Sequence, residues 1–325
     1  MSIIVESSAR LHLGFYNFLT EDIAYGSLGV AIDQPKIVVK VKRDQGIKVV
    51  NKTKINVDDV IQKIIEKLDV NNIQIEILEA IPRHVGLGST TQTTLTIAYA
   101  ITKLLNLNYS IRELAFILGR GRNSGIGIAA FERGGFIIDS GRKISKDGTV
   151  EPPISIQDLP KPIFTIKLPK NWYFIIFIPK VKMGLDERTE ISAMRTPQPI
   201  PQELQLELYK IILLKIIPAT IKRDIETFGQ AITKLQIIVG KYFSKYQGGI
   251  FSSKEVEYIV NTLLENGAYG AGQSSWGPTT YGITKGYKNA IKITEKTYKK
   301  TLENGIETIY LITKARNKPA NIKEG

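Results

Sequence analysis

Apolar and polar residues alternate through the first fifth of the chain, most regularly at Ile37, Val39 and Val41. This period of two predicts strands over Ser2–Phe15, Gly29–Asp33 and Lys36–Arg43. Beyond Val57 the period lengthens. Val60, Ile61, Ile64, Ile65 and Leu68 fall on one face of a helix over Val57–Leu68, and Ile73, Ile75 and Ile77 then alternate through a strand over Asn72–Ala80. Past Pro82 a glycine-rich turn runs into a helix over Ser89–Leu105, whose Leu95, Ala98, Ile101 and Leu105 share a face. Ser110 and Glu113 have the spacing of a capping box that opens a further helix ending near Gly119 and Gly121, after which a loop is expected. Pro152, Pro153, Pro160, Pro162 and Pro169 disfavour long regular elements, so the domain boundary is placed there, giving units 1–160 and 161–325. The second unit reads as a strand over Trp172–Ile178, helices near 202–217, 219–238 and 253–265, a glycine-rich turn at 267–277, and a closing helix and strand. Strands and helices without strict βαβ alternation predict an α+β fold.

Composition narrows the setting. With 325 residues and 43% hydrophobic positions the chain can fill two ordinary cores. No apolar stretch reaches the roughly 20 residues needed to span a bilayer, and no charged-then-apolar leader opens the chain, so no membrane association is expected. The absence of cysteine excludes disulfides, thiolate metal sites and cysteine nucleophiles, and a cytoplasmic location is expected. A formal charge of +13 favours anionic partners. No basic run of five residues occurs and the aromatic residues are scattered, so a nucleic-acid-binding reading rests on net charge alone.

The segment Pro82-Arg83-His84-Val85-Gly86-Leu87-Gly88-Ser89-Thr90-Thr91 stands at the mouth of the predicted helix 89–105. Glycines at 86 and 88 permit a tight turn in which successive N–H groups converge, and the helix start adds partial positive charge, which together suit a phosphate. The hydroxyls of Ser89, Thr90 and Thr91 can donate to phosphate oxygens or support a magnesium ion. The plainer reading of such a glycine pair is a turn that starts a helix.

This segment resembles the central motif of the GHMP kinase superfamily. Ser8-Ala9-Arg10-Leu11-His12-Leu13 resembles that superfamily's first motif, and Gly270-Ala271-Gly272-Gln273-Ser274-Ser275-Trp276-Gly277-Pro278-Thr279 resembles its third. The resemblance implies a ribosomal-S5-domain-2-like N-terminal domain and a ferredoxin-like C-terminal domain, with the active site between them. One departure is informative. Many of these kinases carry Ser-Gly-x-Asp ahead of a Gly-Gly pair; here Ser124-Gly125-Ile126-Gly127 precedes Gly134-Gly135, and Gly127 stands where the Asp belongs. Such a base contributes about 10²–10⁴-fold, so phosphorylation of an alcohol by ATP requires another carboxylate to replace it.

One branch of the superfamily shares these features. The chain is similar to the β-ribofuranosylaminobenzene 5′-phosphate synthases of methanopterin biosynthesis through Ala9-Arg10-Leu11-His12, Gly26-Ser27-Leu28-Gly29-Val30, Gly86 to Gln92, Gly119 to Ile128, and Gln273 to Thr279. That resemblance implies the joining of 4-aminobenzoate to 5-phosphoribosyl 1-pyrophosphate with loss of pyrophosphate and carbon dioxide, with Mg2+ in place of ATP, in a homodimer. The acceptor is left open between 4-aminobenzoate and 4-hydroxybenzoate. Under this reading Gly86, Leu87, Gly88, Ser89, Thr90 and Thr91 cradle the pyrophosphate. Arg10, Arg83, Arg120 and Arg122 are candidate clamps, since a guanidinium matches phosphate oxygens in a bidentate way. His12 lies two residues past Arg10, on the same face of its strand, and Arg10, His12, Ser89 and Thr90 are the catalytic candidates. Gln273, Ser274 and Ser275 offer polar contacts, and Trp276 is expected to pack. For the metal, Glu6, Asp33 and Asp139 are carboxylates that no spacing singles out.

Overall fold

The structure, a computed structural model, describes residues 1–181 and 187–325; of residues 187, 188 and 190 only the backbone is described. The chain begins with β1 (Ser2–Phe15), β2 (Ile23–Ala24), β3 (Ser27–Arg43) and β4 (Ile47–Asn51), followed by α1 (Asp58–Leu68) and β5 (Ile73–Glu79). Next come α2 (Ser89–Leu104), α3 (Ile111–Ile117), α4 (Ile126–Glu132), β6 (Phe136–Asp139), β7 (Arg142–Lys143) and β8 (Pro162–Ile166). The two stretches separated in the sequence reading at Asp33 are one strand. β3 runs through Pro35, and its pairing with β1 shifts register between Ser8 and Arg10, which lets a residue without an N–H sit outside the ladder. The short helix α4 falls where a loop was expected. Gly125 and Gly127 dilute its helical signal, yet Ile126, Ile128, Ala129 and Phe131 are all buried.

The first sheet has β13 (Asn321–Glu324) at one margin and runs β13-β1-β3-β5-β4, with β6 on β3 and β8 on β6. Two of its strands come from beyond residue 160. β8 pairs with β6, and β13 returns the chain's end to β1. The chain leaves the first sheet after β8 and not at residue 160. Pro162 opens β8 at the sheet margin, where a residue without a donor is tolerated. Helix α2 packs on β1 and β3 with most of its length buried, which fixes its N-terminal end beside the middle of β1.

The second sheet is antiparallel, in the order β10 (Gly270–Gln273), β11 (Thr280–Lys285), β9 (Trp172–Pro179), β12 (Thr308–Lys314). Helices α9 (Lys254–Glu265) and α10 (Tyr287–Glu303) pack against it. Between β9 and α9 lie α5 (Glu187–Arg195), α6 (Gln202–Lys210), a π-helical segment at Ile211–Ile216, α7 (Ile217–Lys222) and α8 (Ile225–Gln247). The break expected before residue 219 is absent. The wider turns of the π segment lead into α7 with Pro218 in its first turn, and the chain turns instead at Arg223, in the left-handed region, before Asp224 caps α8 through the Thr227 N–H. Helix α8 touches both β10 and β1 and so joins the two sheets. Its Gln236 amide donates to the Leu13 carbonyl at 2.6 Å and accepts from the Gln273 N–H at 3.0 Å. No helix among the described residues is long and apolar enough to cross a membrane.

Candidate active site

The glycine-bearing segments at 86–88 and 270–277 meet backbone to backbone. A Cβ at Gly86, where φ is +94°, would stand 2.2 Å from the Ser274 carbonyl oxygen, and one at Gly277 would stand 2.1 Å from the Val85 carbonyl carbon. Glycine is therefore required at both positions by close approach. Ser274 locks the junction. Its hydroxyl accepts from the His12 N–H at 3.0 Å and donates to the Gly86 carbonyl at 2.7 Å, while the Ser275 N–H donates to the His12 carbonyl at 3.3 Å.

Over this junction opens a cleft of about 210 Å³, bordered by Arg10, His12, His84, Ser89, Thr90, Thr91, Arg120, Arg122, Asn123, Ser124, Ser275 and Trp276, with the glycines between them. Arg10 lies against Gly88, whose Cβ would meet the guanidinium carbon at 3.1 Å, and its Nη1 donates to the Gly86 carbonyl at 2.5 Å. Gly88 occupies the left-handed region before α2 and offers no side-chain cap. The first N–H groups of α2, at Ser89 to Thr91, point out of the helix start and into the cleft.

The second wall is the loop 119–124. Gly119 closes α3 in the left-handed region, its N–H donating to the Phe116 carbonyl at 3.0 Å, so the chain turns and presents Arg120 and Arg122 to the cleft. Two buried groups hold this loop from behind. Arg142, pressed below its usual pKa by burial, donates to the Arg122 carbonyl and, at 2.7 Å, to the Glu151 carbonyl. The Asp139 carboxylate accepts from the Gly125 N–H at 2.7 Å, the Ser27 hydroxyl at 2.6 Å, the Ser27 N–H at 2.9 Å and the Gly141 N–H at 3.0 Å. Burial pushes its pKa above the usual carboxylate value, and these donors oppose that shift.

His12 is buried and held neutral: burial, with Arg10 nearby, lowers its pKa to about 3. It can donate one N–H but brings no positive charge. Among the described residues the side-chain charges bordering the cleft are arginines, and no carboxylate borders it.

The sequence candidates divide accordingly. Arg10, His12, Gly86, Gly88, Ser89, Thr90, Thr91, Arg120, Arg122 and Ser275 are brought together. Arg83 is turned away: its guanidinium grips the Asp59 carboxylate at 2.5 and 2.7 Å and the Asn56 carbonyl at 2.9 Å, tying the loop to the start of α1. Leu87 is buried in the core and contributes its carbonyl, which accepts from the Arg10 N–H at 3.1 Å. Ser274 is a buried clamp, and Gln273 reaches a smaller neighbouring pocket instead of the cleft. His84, Asn123, Ser124 and Trp276 border the cleft without having been singled out for it; the motif segments that contain them, at 82–91, 119–128 and 270–279, were the available signal. Arg142 carried no sequence signal at all.

None of the three carboxylates offered for a metal borders the cleft. Glu6 is held by Arg316 at 2.7 Å and Lys36 at 3.2 Å, Asp33 is exposed on β3, and Asp139 is saturated by donors. No group of three or more His, Asp or Glu residues able to hold a metal exists among the described residues. The hard oxygen donors at the cleft are hydroxyls, which suit a magnesium ion only as supplements to phosphate oxygens and water.

Comparison with known proteins identifies the family. Residues 55–135 match the GHMP kinases N terminal domain and residues 216–303 the GHMP kinases C terminal domain. The β-ribofuranosylphenol 5′-phosphate synthase of Archaeoglobus fulgidus is 30% identical over 92% of this chain and 92% of its own. The synthase of the same name from Methanocaldococcus jannaschii is 30% identical over 97% of this chain and 98% of its own. In fold, the homoserine kinase of Cytophaga hutchinsonii superposes with a TM-score of 0.71 at 19% identity, covering 99% of this chain and 97% of that one.

Proposed function

Because this chain belongs to the GHMP kinase superfamily, with archaeal ribofuranosylphenol phosphate synthases among its relatives, we propose that its cleft catalyses decarboxylating phosphoribosyl transfer. The donor is 5-phosphoribosyl 1-pyrophosphate, and the acceptor is a benzoate bearing an amino or hydroxyl group at the 4-position. The observation that carries this reading is a cleft furnished with arginines and helix N–H groups and bordered by no described carboxylate.

The reaction needs what the cleft offers. The bond from ribose C1 to the pyrophosphate oxygen breaks, and the leaving group takes the electron pair. Arg10 and the N–H groups of Ser89 to Thr91 stand where that charge accumulates, with Arg120 and Arg122 available for the 5-phosphate or the acceptor's carboxylate. The carboxyl-bearing ring carbon bonds to ribose C1. Carbon dioxide then departs, and the pair of the broken carbon–carbon bond restores the aromatic ring. No alcohol is deprotonated, so no base is required at Gly127. A Cβ there would stand 3.0 Å from Thr91 Cγ2, and the Gln92 amide donates to the Gly127 carbonyl at 2.8 Å, so a larger residue at this position would crowd α2. Magnesium would be held by pyrophosphate oxygens and water, with a hydroxyl of Ser89 or Thr90 as the protein's share, and would supply further charge neutralisation on the leaving group.

The test is pyrophosphate release from phosphoribosyl pyrophosphate, followed with and without 4-aminobenzoate or 4-hydroxybenzoate in the absence of ATP. Release that depends on one of these acids is expected. Release that ignores both, together with ATP consumption when an alcohol such as homoserine is supplied, would favour a kinase instead.

A further inference from the structure

A second pocket, of about 40 Å³, opens off the cleft and shares His12, Phe15, Ser275 and Trp276 with it. Its character is different. Phe15, Phe243 and Trp276 form an aromatic wall, with ring centroids 5.8 Å apart between Phe15 and Phe243 and 4.6 Å between Phe243 and Trp276, and Val239 and Ile250 complete the apolar lining. Three glutamine amides border it, and two are consumed. Gln236 is held between the Leu13 carbonyl and the Gln273 N–H, and Gln273 between the Ser252 N–H at 2.7 Å and the Ser275 carbonyl at 2.8 Å. Gln247 differs. Its nitrogen is fixed on the Ile250 carbonyl at 2.7 Å, whereas its oxygen meets the Gln273 amide only at 3.5 Å, the outer limit of a hydrogen bond, and so keeps acceptor capacity.

We infer that this annex is the acceptor subsite, receiving the 4-substituted half of the benzoate ring with Gln247 Oε1 accepting from its amino or hydroxyl group. The inference rests on the function proposed above and follows from the acceptor's shape. The reacting carbon bears the carboxylate and must face the ribose in the cationic cleft, so the para substituent points the opposite way. The shared mouth between His12, Phe15 and Trp276 is where a ring can leave the polar cleft for apolar walls. A volume of 40 Å³ holds on the order of three waters; it suits the far edge of one ring, while the carboxylate edge stays among the arginines. An amide oxygen that only accepts takes either an amine or a hydroxyl as donor, so the annex selects for a 4-donor without separating the two.

Trp276 borders the annex, and Trp172, the chain's other tryptophan, lies 1% exposed in the core, so tryptophan fluorescence reports occupancy, with Trp276→Phe as background. Titration with 4-hydroxybenzoate or 4-aminobenzoate is expected to give saturable quenching. Val239→Phe, which fills the annex, should weaken it at least tenfold while changing calorimetric binding of inorganic pyrophosphate less than twofold. Gln247→Leu should weaken both acids about tenfold and leave unsubstituted benzoate unchanged, and it decides the matter if Val239→Phe loses pyrophosphate binding through misfolding. Unaltered affinities for both acids in the folded variants, or no saturable quenching in the parent protein, would overturn the subsite. Turnover with an unchanged KM for the acid in Val239→Phe would remove the annex and spare the proposed reaction; binding in the expected pattern without pyrophosphate release would do the reverse.

Discussion

The cleft and its annex share four residues and are built by opposite means. The cleft is made of backbone: glycines pressed onto carbonyls, the start of α2, and arginines laid over them, Arg10 within 3.1 Å of where a Gly88 Cβ would be. Its annex is made of side chains from β1, α8 and the turn after β10, with aromatic rings for walls. A polar site that binds anions gains by fixing N–H groups rigidly, because their orientation then costs nothing when charge develops. An apolar pocket needs only shape and exclusion of water. The difference teaches where damage should appear: in the cleft as lost turnover, in the annex as lost acceptor affinity.

The largest expected effect is that of Arg10→Ala, which removes a charged donor from the leaving group and should lower kcat/KM about 10²–10³-fold in steady-state assays, with a stability change that is small by comparison. Loss of acceptor affinity alone would instead place Arg10 with the annex. Next is Asp139→Asn. It puts an amide among the donors from Ser27, Gly125 and Gly141, and should cost about 2–3 kcal/mol in denaturant unfolding while loosening the arginine loop. Gly127→Asp should weaken pyrophosphate binding about tenfold in calorimetry, by crowding Thr91 and adding like charge, and should create no ATP-dependent activity; a gain of kinase turnover would contradict the account. A test by pH alone concerns His12 at the shared mouth. Its folded pKa of about 3 lies below the ordinary value of 6.5, so the unfolded chain binds the proton first as pH falls. Stability is then full above about pH 6.5 and declines below it, by at most about 1.4 kcal/mol per pH unit. His12→Gln should flatten that slope in melting curves taken from pH 7 to pH 4.

What could be read in the sequence follows the same division. The segment Gly86 to Thr91 announces itself because glycine spacing and an amphipathic helix are local properties, and the alternation of β1 already puts Arg10 and His12 on one face. Arg83 shows the limit: it has the same chemistry as Arg10, but its partner Asp59 lies 24 positions earlier, and nothing local shows that the pair will form. Helix α4 and the path through Pro218 were obscured by glycine and proline, whose local preferences were overridden by burial and by a π-helical stretch. Ser274 reads as a ligand-facing serine and acts as a clamp on Gly86 and His12, which lie 188 and 262 positions before it. The annex was illegible, since Phe15, Val239 and Trp276 come together only when α8 bridges the sheets.

The proposed function requires phosphoribosyl transfer and decarboxylation to be coupled one to one in this cleft. The most direct measurement is the stoichiometry of labelled carbon dioxide against pyrophosphate, using carboxyl-labelled 4-hydroxybenzoate and 4-aminobenzoate in turn, with phosphoribosyl pyrophosphate and magnesium and without ATP. One carbon dioxide per pyrophosphate with at least one of the two acids is the predicted result. Pyrophosphate released without carbon dioxide from either acid, or carbon dioxide released without phosphoribosyl pyrophosphate, would contradict it.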